Sequence, residues 1–255
     1  AANMWVNVAE RDGVAGVDDD QNGVIDDVHG AAFVNGRQVG NPRDDNGHGT
    51  HCAGTIAAVA NGQGVVGMAQ AKIMALKFLT RNGGGLTSDA VRCIDYAIRN
   101  EAKIMSNSWG GQGSVTPVLE QAIERAQRAG ILFVAAAGND NRNIDRISYS
   151  PANSRNDNVL TVGAINFAGR RSGFSNFGTQ NVDIGAPGGT GAPADSDDIL
   201  STYLNDDFAF LPGTSVATPH VSGAAALLLG TPEFRNRPDR TVIDLKQALR
   251  MQFSD

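Results

Sequence analysis

The segment Asn46-Gly-His-Gly-Thr-His51 runs into an apolar stretch, Cys52-Ala-Gly-Thr-Ile-Ala-Ala58, so a histidine stands among small residues at the head of that stretch. Far downstream, Pro212-Gly-Thr-Ser-Val-Ala-Thr-Pro-His220 puts a serine after a Gly-Thr corner and before an alanine-rich, helix-forming run. A serine hydroxyl becomes a nucleophile only when a base takes its proton, and imidazole is the base suited to neutral pH. His48 and Ser215 are therefore the candidate base and nucleophile. Alone, Ser215 would read as a plain helix N-cap.

Between these segments apolar strands alternate with amphipathic helices, the pattern of a parallel sheet covered on both faces. Strands are predicted over 71–79, 103–108, 131–136 and 159–163. A helix over 87–101 places Val91, Ile94 and Ile98 on one face, with Thr87 or Ser88 as N-cap. Pro117 suits the first turn of the next helix, whose buried stripe is Leu119, Ala122, Ile123 and Ala126. The helix 215–230 is apolar almost all round and should cross the core, with Pro219 in its first turn. One more helix is predicted over about 241–250.

Read together, these segments resemble the subtilisin family of serine proteases. Ser106-Asn-Ser-Trp-Gly-Gly111 resembles the family's substrate-binding edge strand, and Val134-Ala-Ala-Ala-Gly-Asn139 its oxyanion-hole strand and turn. Phe174-Ser-Asn-Phe-Gly178 and Ile184-Gly-Ala-Pro-Gly188 are similar to further landmarks. The resemblance implies an α/β three-layer sandwich, with a mostly parallel, seven-stranded-type sheet and helices on both faces. It implies catalysis by Ser215 and His48, with the Asn139 amide as second oxyanion donor. Substrate would lie along Ser108, Trp109, Gly110, Ala136 and Gly138, with Tyr149 near the pocket floor. A thiol at Cys52, close behind the base, is also known in this family and implies sensitivity to mercurials. His51 and His220 are read as packed, hydrogen-bonded histidines, and His48 with His51 lacks a third ligand for a metal.

The family's catalytic aspartate ends an apolar strand upstream of the histidine. No such segment occurs here, because Glu10-Arg11 precede Asp12-Gly13. The expectation is a chain starting just past that aspartate and nearly inactive when produced alone, unless Asp12 or one of Asp18–Asp20 supplies the acid.

Asp18-Asp-Asp-Gln-Asn-Gly-Val-Ile-Asp-Asp27 matches the start of a calcium loop: Asp18, Asp20, Asn22, Gly23 for the turn, and the Val24 carbonyl. His29 stands where an EF-hand needs glutamate, so Asp26 or Asp27 must close the site early. The bland alternative is a solvated acidic turn. Asn61, Gln63 and Val65 resemble a second, weaker calcium loop of the family.

A 255-residue chain with 41% hydrophobic and 19% charged residues suits one domain, 1–255. Its net charge of −6, without a basic block, gives no footprint for nucleic acid. No apolar run approaches the roughly 18 residues of a membrane span. Two cysteines make no disulfide framework and read as free, buried thiols. The expected function is a calcium-stabilised, monomeric serine endopeptidase acting on peptides or proteins, restrained by an inhibitory propeptide and secreted or held in the secretory pathway. The alternative is a non-catalytic, calcium-bound peptide-binding module. An α/β-hydrolase is excluded, since no G-x-S-x-G surrounds Ser215 and His48 precedes it.

Overall fold

The computed structural model describes residues 2–192, 197–236 and 241–252. The chain begins with a short helix α1 (Val8–Asp12), the hairpin β1 (Gly30–Val34) and β2 (Arg37–Val39), then α2 (His48–Ala57) and β3 (Ala75–Lys77). Next come α3 (Thr87–Arg99), β4 (Ile104–Asn107), β5 (Gly111–Gln112), α4 (Pro117–Arg128), β6 (Leu132–Ala136), β7 (Tyr149–Ser150), β8 (Val159–Ile165) and β9 (Ile184–Pro187). The hairpin β10 (Ile199–Thr202) and β11 (Phe208–Leu211) leads into α5 (Thr214–Gly230), α6 (Pro232–Arg235) and α7 (Val242–Gln252).

The central strands β4, β6, β8 and β9 are parallel and ordered β4-β6-β8-β9. Along β6 the side chains alternate between two helical layers, as a strand buried on both faces requires. Leu132 and Val134 face Ala217, Val221 and Ala225 of α5 and Leu245 and Leu249 of α7. Phe133 and Ala135 face Ile94 of α3 and Leu119, Ile123 and Ala126 of α4. Burying each of the larger side chains contributes about 1.5–3 kcal/mol, so this double-sided strand is a large stabilising element.

Seven strands of the expected sheet are present as two hydrogen-bonded groups. β1 pairs β3 in parallel and β2 antiparallel, giving the order β2-β1-β3, and among the described residues no ladder joins β3 to β4. Leu76 of β3 packs against the apolar clusters of both groups, as does Trp109 after β4.

Two local expectations are corrected. Helix α3 is capped by Leu86, with Thr87 and Ser88 already inside its first turn. Its start is set by tertiary contact: buried Asp89 accepts the Gly36 N–H of the β1–β2 turn at 3.2 Å. Pro219 lies inside α5, the sixth residue from Thr214, instead of in its first turn.

Candidate active site

His48 opens α2. Gly47, before it, holds φ 102°, and a Cβ there would stand 2.4 Å from the Tyr203 ring, so only glycine fits. Asp44 ties this corner together. Its Oδ1 accepts the N–H groups of Asn46 (2.9 Å) and Gly47 (3.0 Å), and its Oδ2 accepts the Thr50 N–H (2.9 Å) and hydroxyl (2.7 Å). Burial alone would raise the Asp44 carboxyl, but the hydrogen bonds from Gly47, Asn46 and Thr50 outweigh it and hold it at about 2. The half-buried His48 imidazole is lowered from its ordinary value, first by burial and then by His51, with Asp44 partly opposing. It is thus held in the neutral form that a base needs.

Ser215 is the second residue of α5. The N–H groups of Val216 and Ala217 both return to Gly213 O (3.2 and 3.1 Å), and the Ser215 N–H has no acceptor among the described residues. A free N–H at a helix N-terminus is a ready donor for negative charge. The opposite end of the first turn is also unusual. Pro219 cannot donate to the Ser215 carbonyl, and Cys52 does so instead, its Sγ 3.4 Å from that oxygen and 4.0 Å from His48 Nε2. Burial pushes the Cys52 thiol up to about 11, so it stays protonated as a donor.

Asn139 follows β6 beyond Gly138, which turns at φ 100°. Asn139 Oδ1 accepts both the N–H and the hydroxyl of Thr214, each at 2.9 Å, which leaves Nδ2 as the free end of the amide. The same Thr214 hydroxyl accepts the Gly138 N–H at 3.1 Å. A Cβ at Gly213 would sit 3.1 Å from Ser215 Oγ and 3.4 Å from Asn139 Nδ2, so glycine keeps open the space between hydroxyl and amide. Thr214 escaped the sequence reading, which treated it as part of a corner.

One cavity of about 170 Å³ is lined by His48, Ser215, Asn139, Ser108, Trp109, Gly110, Ala136 and Gly138, together with Thr214 and Tyr149. The open backbone edge is shorter than the sequence implied, because Gly111 pairs with Ser150 in the β5–β7 ladder. That leaves 108–110. His51 is fully buried, its Nε2 shared between the carbonyls of Ile199 (2.9 Å) and Ala209 (3.1 Å), and His220 Nδ1 meets Val216 O at 2.9 Å. Both are packed away from the cavity lining.

Among the described residues no carboxylate hydrogen-bonds to the His48 ring. Asp12 pairs with Arg11 at 2.7 Å on the surface, and Asp18 and Asp20 belong to the acidic loop.

In that loop, ligand oxygens of Glu10, Asp18 and Asp20 lie within 4.8 Å of one another and could hold a metal ion. Glu10, on α1, is 5% exposed and was missed because a buried glutamate has no sequence signature. Its carboxylate accepts the N–H groups of Asp19 (2.7 Å), Asp20 (3.1 Å) and Asp26 (2.9 Å), shaping the loop. Asn22 Nδ2 donates to Asp20 (2.9 Å) and Asp27 (2.7 Å), and the Val24 side chain is buried. Asp26 turns away to accept the Gly16 N–H at 3.0 Å. Asp27 is fully buried and accepts from Asn7, Asn22 and the Tyr96 hydroxyl. The segment Asn61–Val65 is a surface loop in which Asn61 Oδ1 accepts the Gln63 N–H at 3.0 Å. No second acidic cluster of this kind occurs among the described residues.

The Subtilase family profile matches residues 12–252, and the chain belongs to that family. It is 41% identical over 218 residues to a thermostable alkaline protease of Halalkalibacterium halodurans, covering 84% of this chain and 55% of that protein. It is 38% identical over 227 residues to subtilisin DY of Bacillus licheniformis, covering 86% and 77% respectively. An intracellular serine protease of Paenibacillus polymyxa is 43% identical over 187 residues, covering 73% of this chain and 54% of that protein. The chain thus spans about half the length of two of these relatives. Among solved structures, a protease from Pseudoalteromonas arctica superposes with a TM-score of 0.78 at 33% identity, covering 87% of this chain and 76% of that one. The relatives' names include an intracellular enzyme, so family membership fixes no compartment. No helix among the described residues is long and apolar enough to cross a membrane.

Proposed function

We propose that residues 1–255 form the single peptidase domain of a serine endopeptidase that cleaves peptide bonds through an acyl-enzyme on Ser215. The observation that carries this reading is the convergence of three groups on one cavity: the Ser215 hydroxyl with its free N–H, the free Nδ2 of Asn139, and a neutral His48. His48 takes the Ser215 proton as Oγ attacks the scissile carbonyl carbon. The carbonyl oxygen, now negative, is met by the Ser215 N–H and Asn139 Nδ2. His48 returns the proton to the leaving amine as the C–N bond breaks, and water releases the acyl group by the same steps in reverse order. An extended peptide or protein chain would lie along 108–110 through main-chain hydrogen bonds.

Glu10, Asp18 and Asp20 offer hard oxygen donors, which suit calcium, and the ion would neutralise their mutual repulsion and brace the loop. Calcium there is structural, since none of these residues lines the catalytic cavity. We place the enzyme in the extracellular or secretory-pathway setting, where calcium is abundant enough to fill such a site. An inhibitory propeptide covering the 108–110 edge and a monomeric enzyme complete the proposal.

A fluorophosphonate probe tests it in the intact protein. Labelling should map to Ser215 and vanish in His48→Ala, and labelling elsewhere would overturn the assignment. The second reading, a peptide-binding module without turnover, is favoured by the His48 ring's lack of a carboxylate partner among the described residues. Peptide binding without labelling would select it.

A further inference from the structure

We propose that Tyr203 is a positioning residue for the reaction, because it fixes the peptide unit that aims His48. The proposal rests on the peptidase reading above and names a residue that acts through the base. The peptide unit between Asn46 and Gly47 is held at both ends. Its carbonyl, Asn46 O, accepts the Tyr203 hydroxyl at 3.1 Å, and its N–H, that of Gly47, donates to Asp44 Oδ1 at 3.0 Å. Gly47 turns at φ 102°, and the Tyr203 ring fills the place that a side chain would take there. His48 follows directly and opens α2, so the orientation of this one peptide unit sets the direction in which the imidazole leaves the helix. With one end freed, the unit can rotate about its flanking bonds and carry His48 off line.

Tyr203 is itself seated on a firm mount. It follows β10, and its N–H donates to Asp207 O at 2.7 Å, closing the turn between β10 and β11. The two residues before it grip α2: Ser201 Oγ donates to His51 O at 2.7 Å, and Thr202 Oγ1 to Thr50 O at 3.0 Å. His51 Nε2 is shared between Ile199 O and Ala209 O, one carbonyl from each strand of the hairpin. A Cβ at Gly54 would collide with Thr202 Oγ1, so glycine lets the hairpin lie flush on the helix. The second strand, β11, then runs through Pro212 and Gly213 into α5 and Ser215. One hairpin therefore reaches the base with its first strand and the nucleophile with its second. Tyr203 is the last link on the side of the base.

The test is steady-state kinetics of Tyr203→Phe in the intact protein. This variant keeps the ring against Gly47 and removes only the hydroxyl. A misaimed base should lower kcat by about tenfold while KM holds within about twofold. A His48→Ala background separates positioning from a general softening of the fold. With the imidazole gone there is nothing to aim, so adding Tyr203→Phe to His48→Ala should lower kcat no further. An equal loss in both backgrounds, or an unchanged kcat in the single variant, would overturn the proposal. Amide hydrogen exchange reads the same grip without turnover. The Gly47 N–H should exchange faster in Tyr203→Phe than in the wild type, and an unchanged rate would overturn the proposal as well. Absence of turnover in the wild type would count against the peptidase reading alone, and faster Gly47 exchange in Tyr203→Phe would still support the hold on the corner before His48.

Discussion

Thr214 donates two hydrogen bonds, from its N–H and its hydroxyl, to the Oδ1 of Asn139, both at 2.9 Å. That double contact determines which end of the amide is free. The Gly138 N–H, donated to the same hydroxyl, locks the turn to the nucleophile's own helix. In the proposed mechanism, Thr214, beside Ser215, thus orients the amide end that would meet the oxyanion.

Replacing Asn139 by Ala should therefore lower kcat with little change in KM, since the donor meets charge present only in the transition state. The magnitude is carried over from the corresponding asparagine of subtilisin itself, about 10²–10³-fold. Thr214→Val keeps the N–H contact and loses the hydroxyl, so a smaller loss, roughly tenfold, is expected from the misaimed amide. Steady-state kinetics on one peptide decides both, and an equal loss in KM would point to binding instead.

The pH profile of kcat/KM should rise with a midpoint below about 6.5, the ordinary histidine value, because burial and His51 favour neutral His48. A midpoint at or above that value would reveal a carboxylate partner reaching His48 from outside the described residues, since a nearby anion raises an imidazole.

Asp44 links pH to stability with a definite sign. Its folded value, about 2, lies below the unfolded one of about 3.9, so its contribution is present above pH 4 and is lost as pH falls through 2. Asp44 is partly exposed, and solvent screening reduces its contribution to about 1 kcal/mol. Acid titrations of Asp44→Asn should lack this part of the loss between pH 4 and 2. An unchanged titration would show that the four hydrogen bonds contribute nothing net.

Calcium should raise the Tm and chelation lower it, because Glu10, Asp18 and Asp20 repel one another without a cation. The double substitution Asp18→Ala with Asp20→Ala should remove most of that response. Glu10→Gln should weaken it while keeping much of the loop's hydrogen bonding. A full calcium response in the double variant would mean the ion binds elsewhere.

Cys52 should resist alkylation at neutral pH, with its thiol buried and raised to about 11. Cys52→Ala should cost roughly 1 kcal/mol in the melting transition by leaving the Ser215 carbonyl unpaired, and Cys52→Ser should lose less. Rapid modification of the folded protein by iodoacetamide would contradict the burial.

The residues that line the candidate site were legible because each sits at a break in periodicity: Asn139 beyond the all-apolar 131–136, Ser215 before an all-apolar helix. Their order and spacing carried the fold class as well. What stayed hidden depends on contacts between distant segments. Nothing in the neighbourhood of Glu10 announces a carboxylate turned inward onto the N–H groups of 19, 20 and 26, and Thr214 looks like any corner residue. The start of α3 went wrong for a similar reason. Thr87 and Ser88 are good caps by type, but Asp89 gripping Gly36 decides where the helix begins. Strand order is likewise invisible to periodicity, which shows the apolar segments 71–79, 103–108, 131–136 and 159–163 and not the division between β3 and β4.

Across that division the two strand groups are joined by side-chain packing through Leu76 and Trp109. Among the described residues, the strands β2-β1-β3, with the acidic loop leading into them, share no ladder with β4-β6-β8-β9. The helices α2 and α5, which carry His48 and Ser215, pack directly on one another. If calcium occupies the acidic loop as proposed, amide hydrogen exchange through residues 7–40 should accelerate when it is withdrawn, while β6 and β8 keep the slow exchange of global unfolding. If the acidic loop holds the proposed ion, its loss would loosen the side of the fold that carries Glu10, Asp18 and Asp20 before it disturbed the packing of α2 on α5, so resistance to heat and catalytic competence would be open to separate adjustment.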